Sequence, residues 1–203
     1  MNITSCCAIN KNGVYLNDKV IFEGTGSEML PYFDSILKYF DIKYPKFVKM
    51  DALSKLGFLT AEVLLNSIPW VKTEYLPFEC GTLMSNSSSS LNTDFNYWKT
   101  VGQIPSPSVF VYTLPNVVNA EICIRNGFKG ENMFFIGENF VSSGIIEYAN
   151  SLFTSGNIKF CLCGWVELLK DNYQSVIFAV ENKTSGIREF LPETINALMN
   201  KLL

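Results

Sequence analysis

Met133-Phe134-Phe135-Ile136-Gly137-Glu138-Asn139-Phe140 is a four-residue apolar run that breaks into a glycine and two polar side chains. A short apolar run bounded by turn residues reads as a buried strand, on which Phe134 and Phe135 point to opposite faces. Upstream, Asn116 to Gly130 reads Asn-Val-Val-Asn-Ala-Glu-Ile-Cys-Ile-Arg-Asn-Gly-Phe-Lys-Gly. Pro115 suits the first turn of a helix over 116–126, and Gly127 suits its end. Downstream, Ser142 or Ser143 can cap a second helix. That helix carries Ile145, Ile146, Ala149, Leu152 and Phe153 on one stripe, and Gly156 ends it. The core unit is therefore helix, strand, polar turn, helix.

The same order continues outward. Ile3 to Ile9 reads as a strand, and Val14–Leu16 with Val20–Phe22 as a hairpin around Asn17-Asp18. Gly24 to Glu28 is a loop without the spacing of a phosphate cradle. Asp51 caps a predicted helix to Asn66 that carries Leu53, Leu56, Thr60, Val63 and Leu64. Cys80–Ser85 is a strand, Asn86–Ser90 a polar loop, and Thr93-Asp94 starts a helix through Trp98. The stretch from Pro105 to Ser108 reads as irregular. Ile158–Val166 and Ser175–Val180 are strands, and Glu193–Leu202 is a terminal helix behind Pro192. Alternating helices and fully apolar strands predict an α/β fold with a mixed central sheet covered by helices on both faces. One domain over 1–203 is expected, with no linker or repeat.

The chain has 203 residues, 48% of them hydrophobic, and a net charge of −3. No Lys/Arg cluster marks a nucleic-acid footprint. No stretch has the length of a membrane span, and the N-terminus lacks a signal-peptide pattern, so a cytoplasmic protein is expected. Cys6, Cys7, Cys123, Cys161 and Cys163 sit in apolar runs and read as reduced core residues. There is no histidine and no Cys-x-x-Cys, so neither a zinc site nor a serine triad is expected. Sixteen phenylalanines leave two readings open, a large core or an apolar interface.

Three stretches resemble the N-terminal half of the β-ketoacyl synthases, which have the thiolase-like fold. Lys49-Met50-Asp51 resembles the start of a family helix. Gly81 to Asp94 resembles the strand and loop after it. Pro107 to Gly130, with Ile124-Arg125-Asn126-Gly127 and then Lys129-Gly130-Glu131-Asn132, resembles the helix before the nucleophile strand. The resemblance runs from about Ile3 to Val180. It is nearest to the short synthase-like proteins of aryl-polyene and flexirubin-type pigment clusters, some of which resemble chain length factors. It implies a single thiolase half. The family's second half, which carries its catalytic histidines, has no counterpart here.

With Asn132 as the family's asparagine, Asn139 falls on the nucleophile position, and a one-residue shift puts Glu138 there. Neither side chain replaces a thiolate, and no imidazole is present to stabilise an enolate, so no catalytic residue is expected. Chain length factors also lack the cysteine and pair with an active synthase. The resemblance thus implies a β-ketoacyl-ACP synthase partner, or a second copy, together with acyl carrier protein. No cofactor, metal, nucleic acid or membrane is implied. In synthase dimers the strand leading to the nucleophile meets its equivalent across the two-fold. By resemblance Met133, Ile136, Val117, Val118, Glu121 and Ile122 are candidates for the partner interface. Phe140, Phe135 and Phe134 are candidates for an acyl-tunnel wall, with core packing the other reading. Glu138 reads as an acid/base or as a helix-start carboxylate. Tyr97 and Trp98 read as partner anchors or as packing. Two other functions stay open: a weak malonyl-ACP decarboxylase using Glu138 or Asn139, and a stand-alone acyl-binding scaffold homodimer.

Overall fold

The computed structural model describes residues 1–203 apart from Thr25, Ser27, Gln103, Val141 and the side chain of Ser142. The expected loop at Gly24–Glu28 and the cap at Ser142 therefore lie partly outside the described residues.

The chain opens with strands β1 (Asn2–Asn10), β2 (Gly13–Leu16) and β3 (Lys19–Glu23), then helix α1 (Met29–Tyr39). Asn17 and Asp18 both hold positive φ, 47° and 69°, the backbone that a tight two-residue hairpin requires. A bulge between Ile3 and Ser5 shifts the register of β1. Ile3, Cys6 and Ala8 then face one core while Cys7 and Ile9 face the other.

Next come α2 (Ala52–Ser67), the short α3 (Val71–Glu74), β4 (Cys80–Asn86), α4 (Leu91–Val101) and α5 (Pro107–Val111). Asp51 caps α2 by accepting a hydrogen bond from Ser54 N at 2.9 Å. Ser106 caps α5, so the stretch expected to be irregular holds a helical turn started by Pro107. The chain ends with α6 (Val117–Asn126), β5 (Asn132–Ile136), α7 (Ser142–Thr154), β6 (Phe160–Leu169), β7 (Asn172–Glu181), β8 (Arg188–Glu189) and α8 (Pro192–Leu202). Gly127, at φ 71°, closes α6 in the left-handed conformation.

Among the described residues the strands form one sheet in the order β3-β2-β1-β7-β6-β4-β5, with β8 also on β1. β4 runs parallel to β5 and β6, and the other pairs are antiparallel. One core, built on α1, α2 and α6, fills one face, and a second core under α7 and α8 fills the other. This is the α/β arrangement expected, a mixed sheet with helices on both faces.

β5 corrects the expectation of a buried strand. It is the last strand of the sheet, its residues are half-buried or exposed, and Ile136 is 58% exposed. Its apolar sequence is covered on two faces by helices but on only one side by a neighbouring strand.

Candidate functional site

The parallel strands β4, β5 and β6 end at the same side of the sheet, and the turn after β5 carries the site. Gly137 N donates to Asn86 O at 3.0 Å, tying the turn to the end of β4. At the other end of β5, Thr82 N donates to Glu131 O at 2.8 Å. Backbone groups alternate sides along a strand, so Glu131, Met133, Phe135 and Gly137 face β4. Asn132, Phe134 and Ile136 hold their N–H and C=O groups toward the open edge. α6 is pinned to this strand by Asn119 Nδ2, which donates to Asn132 Oδ1 and Met133 O, both at 2.9 Å.

Glu138 and Asn139 are exposed at the tip of the turn. Asn139 borders a cavity of about 230 Å³ lined by Ser85, Phe135, Ile136, Gly137, Gly144 and Ile145. Phe135 also meets Tyr148 edge-on, with ring centroids 5.7 Å apart. Phe140 turns into the α7 core and meets Trp165 edge-on at 6.0 Å. Phe134 packs on the opposite core. Of the three phenylalanines expected at a tunnel wall, Phe135 is the one that borders this cavity.

The expected interface residues divide. Met133 and Ile136 lie on the edge strand, and Val117 is half-buried. Val118, Glu121 and Ile122 are buried within the chain and do not reach a partner surface. Val118 lies against Gly57 of α2. Glu121 Oε1 accepts from Tyr112 Oη at 3.0 Å and pairs with Lys46 Nζ at 2.8 Å. Burial, reinforced by Glu121, pushes the Tyr112 hydroxyl well above its ordinary value. The free side of α6 is formed instead by Ala120, Cys123, Ile124 and Gly127. With Phe128, Lys129 and Asn132 they line a second cavity of about 430 Å³ beside the start of β5. The edge strand is thus flanked by a cavity on each face.

Sequence reasoning missed two supporting residues. Glu167 on β6 is buried, and its Oε2 accepts from Ser87 N at 2.7 Å, Ser87 Oγ at 2.6 Å and Ser88 N at 3.3 Å. It fixes the serine-rich loop beside the turn; the available signal was a lone carboxylate inside an apolar strand. Asn119, a polar residue on the inner face of α6, was the other.

Among the described residues no group of three or more His, Cys, Asp or Glu converges to hold a metal ion. None of their helices is long and apolar enough to cross a membrane. All six cysteines are free, and burial pushes up the thiols of Cys6, to about 12, of Cys80 and Cys123, and of Cys7 and Cys161, the last two well above their ordinary value. Such thiols are poor nucleophiles.

No protein-family model and no curated protein matches the sequence. Solved structures do match in fold. The ishigamide ketosynthase/chain length factor superposes with a TM-score of 0.66 at 14% identity, covering 92% of this chain and 63% of that one. A type II polyketide acyl carrier protein in complex with its ketosynthase gives 0.65 at 13% identity, covering 89% and 62%. A chain of the complex of the ketosynthase ApeO with its chain length factor ApeC, from Xenorhabdus doucetiae, gives 0.60 at 13% identity. There the match covers 99% of this chain and 90% of that one. The chain spans a little under two thirds of the length of the first two. Its fold is that of the matching part of these ketosynthase and chain length factor structures.

Proposed function

We propose that the chain is a non-catalytic, chain length factor-like subunit that pairs with an active β-ketoacyl-ACP synthase. The observation that carries this reading is the contrast between the two edges of the sheet. β3, at one edge, carries Lys19 and Glu23, charges of the kind that blunt an edge against pairing. β5, at the other, is Asn-Met-Phe-Phe-Ile with no charge, and it presents free backbone groups beside the site turn. An uncharged open edge is a template for a partner strand. Met133 and Ile136 then lie in the interface, with Val117 and the free side of α6 beside them.

The chemistry runs on the partner. By the sequence resemblance Asn139, or Glu138 with a one-residue shift, falls on the nucleophile position, and the chain has no histidine. The partner supplies the cysteine and histidines, and acyl carrier protein delivers the acyl chain as a thioester. The cavity under Asn139, about 230 Å³, is larger than the 150 Å³ or so that holds a benzene and below the usual range of a small-molecule site. It suits a short apolar segment, and Phe135 is the wall residue. An aryl-polyene type of pathway is the product class the sequence resemblance favours. Glu138 is exposed at the tip of the turn.

The test is co-expression with a ketosynthase encoded beside this chain. A 1:1 complex whose product length changes on Phe135→Ala supports the reading. Two proteins that elute apart, with the ketosynthase fully active alone, would sink it.

A further inference from the structure

α4 and α5 lie on the chain without joining its core. Among their described residues none belongs to either apolar core or packs against one. Between Leu91 and Leu114 the buried described residues are Thr93 and Tyr112. Tyr112, the residue after α5, is the point where this stretch reaches the core. Both are fastened by polar contacts to buried carboxylates. Thr93 Oγ1 donates to Asp51 Oδ2 at 2.5 Å, and Tyr112 Oη donates to Glu121 Oε1 at 3.0 Å. A further contact is exposed, with Lys170 N donating to Asn92 Oδ1 at 3.2 Å. The two helices also hold to each other. Tyr97 meets Phe110 with ring centroids 5.4 Å apart, and Ser106 N donates to Thr100 Oγ1 at 3.3 Å. Beneath them is a cavity of about 380 Å³. Met50 and Lys55 line it from the body of the chain, and Asn96, Ser108 and Val109 line it from α4 and α5.

We propose that α4 and α5 open together as one flap while the rest of the chain stays folded, and that the latches at Asp51 and Glu121 set how often they do so. The neck of the flap is closed. Ser90 Oγ donates to Thr113 O, so the chain leaves and returns at one place, and opening need not pull on β4 or α6. The latching carboxylates belong to the body and keep partners there. Asp51 still caps α2 through Ser54 N, and Glu121 still pairs with Lys46, when the flap is away. The cavity denies the underside of the flap close packing, since a wall that faces a void loses its dispersion contacts. A region with few buried apolar contacts and exposed hydrogen bonds is one that opens below the free energy of global unfolding. The closed flap makes the cavity and the open flap removes it. Anything that touches both walls therefore shifts the population to the closed form. Nothing in this device depends on which partner the chain has.

Native-state hydrogen exchange of the full-length chain, read by mass spectrometry along a urea series below the unfolding transition, is the test. Amides of α4 and α5 are expected to exchange at least about a hundredfold faster than those of β7, with a shallow dependence on urea, because a small opening exposes little surface. Ile195→Val, in the core on the other face of the sheet, should speed β7 roughly fivefold and leave α4 and α5 unchanged, because the open form keeps that core. Thr93→Val combined with Tyr112→Phe should speed α4, α5 and β7 by one common factor, because the open chain and the unfolded chain both lack the latches. If α4 and α5 follow β7 in rate, in urea slope and in Ile195→Val, they open only with the whole chain and the proposal is overturned. Different urea slopes for α4 and α5 also overturn it, since the two helices then fray separately. A latch variant that leaves α4 and α5 unchanged overturns the role of Asp51 and Glu121. The wild-type urea series decides between opening and global unfolding even where a variant does not fold.

Discussion

A Cβ built on Gly57 lies 2.4 Å from Val118 Cγ1, a distance real side chains do not tolerate. Glycine is what lets α2 and α6 approach here. Gly57→Ala is expected to cost about 1–3 kcal/mol by overpacking. Val118→Ala in the same chain should recover most of it, as a double-mutant cycle of thermal melts will show. The contact also explains why Val118 was misplaced from sequence. α6 is apolar on both sides, with Val118 and Ile122 inward and Ala120 and Ile124 on the free side. Periodicity finds the helix but not which stripe meets the core. At Asn139 the sequence was more informative, because the absence of histidine is independent of the fold. Asn139→Cys is expected to yield no condensation product above a protein-free control. Product formation by the isolated variant would contradict the non-catalytic reading.

β5 shows what a strand's own residues leave out. Met-Phe-Phe-Ile reads as buried because two faces are covered, but whether a strand is central or at the edge depends on partners far away in the chain. Its edge position gives a paired test. The N–H of Ile136 faces outward, so Ile136→Pro should keep the melting temperature close to wild type while abolishing partner binding. The N–H of Phe135 faces β4, so Phe135→Pro should break the ladder and unfold the chain at a lower temperature. β7 carries a separate, electrostatic consequence. Burial alone would raise the Glu181 carboxyl, but hydrogen bonds from Lys183, Tyr75 and Thr4 outweigh it and hold the group below its ordinary value. An unfolded glutamate titrates near about 4.3. Glu181 therefore stabilises the fold above that pH, and its contribution is lost as pH falls through the depressed folded value. Glu181→Gln should flatten the acid limb of a stability-against-pH curve and lower the plateau at neutral pH.

At the scale of the molecule, the alternation of helices and apolar strands was enough to reach a mixed sheet between two helical layers. Strand order was not legible, since β1 pairs with β7 across the length of the chain. The outer sides of α7 and α8 show Glu147, Asn150, Ser151, Glu193, Asn200 and Lys201, and no large apolar side chain is exposed among their described residues. Apolar exposure is denser on the stretch from Leu91 to Leu114, and Ile136 is exposed at the β5 edge. A partner is therefore expected to join edge to edge and not to stack on the α7–α8 layer. Native mass spectrometry of the chain co-expressed with the adjacent ketosynthase, wild type beside Ile136→Pro, tests this most directly. A 1:1 complex in the wild type that disappears in the variant is the expected result. A complex that survives Ile136→Pro, or no complex in either, would contradict it.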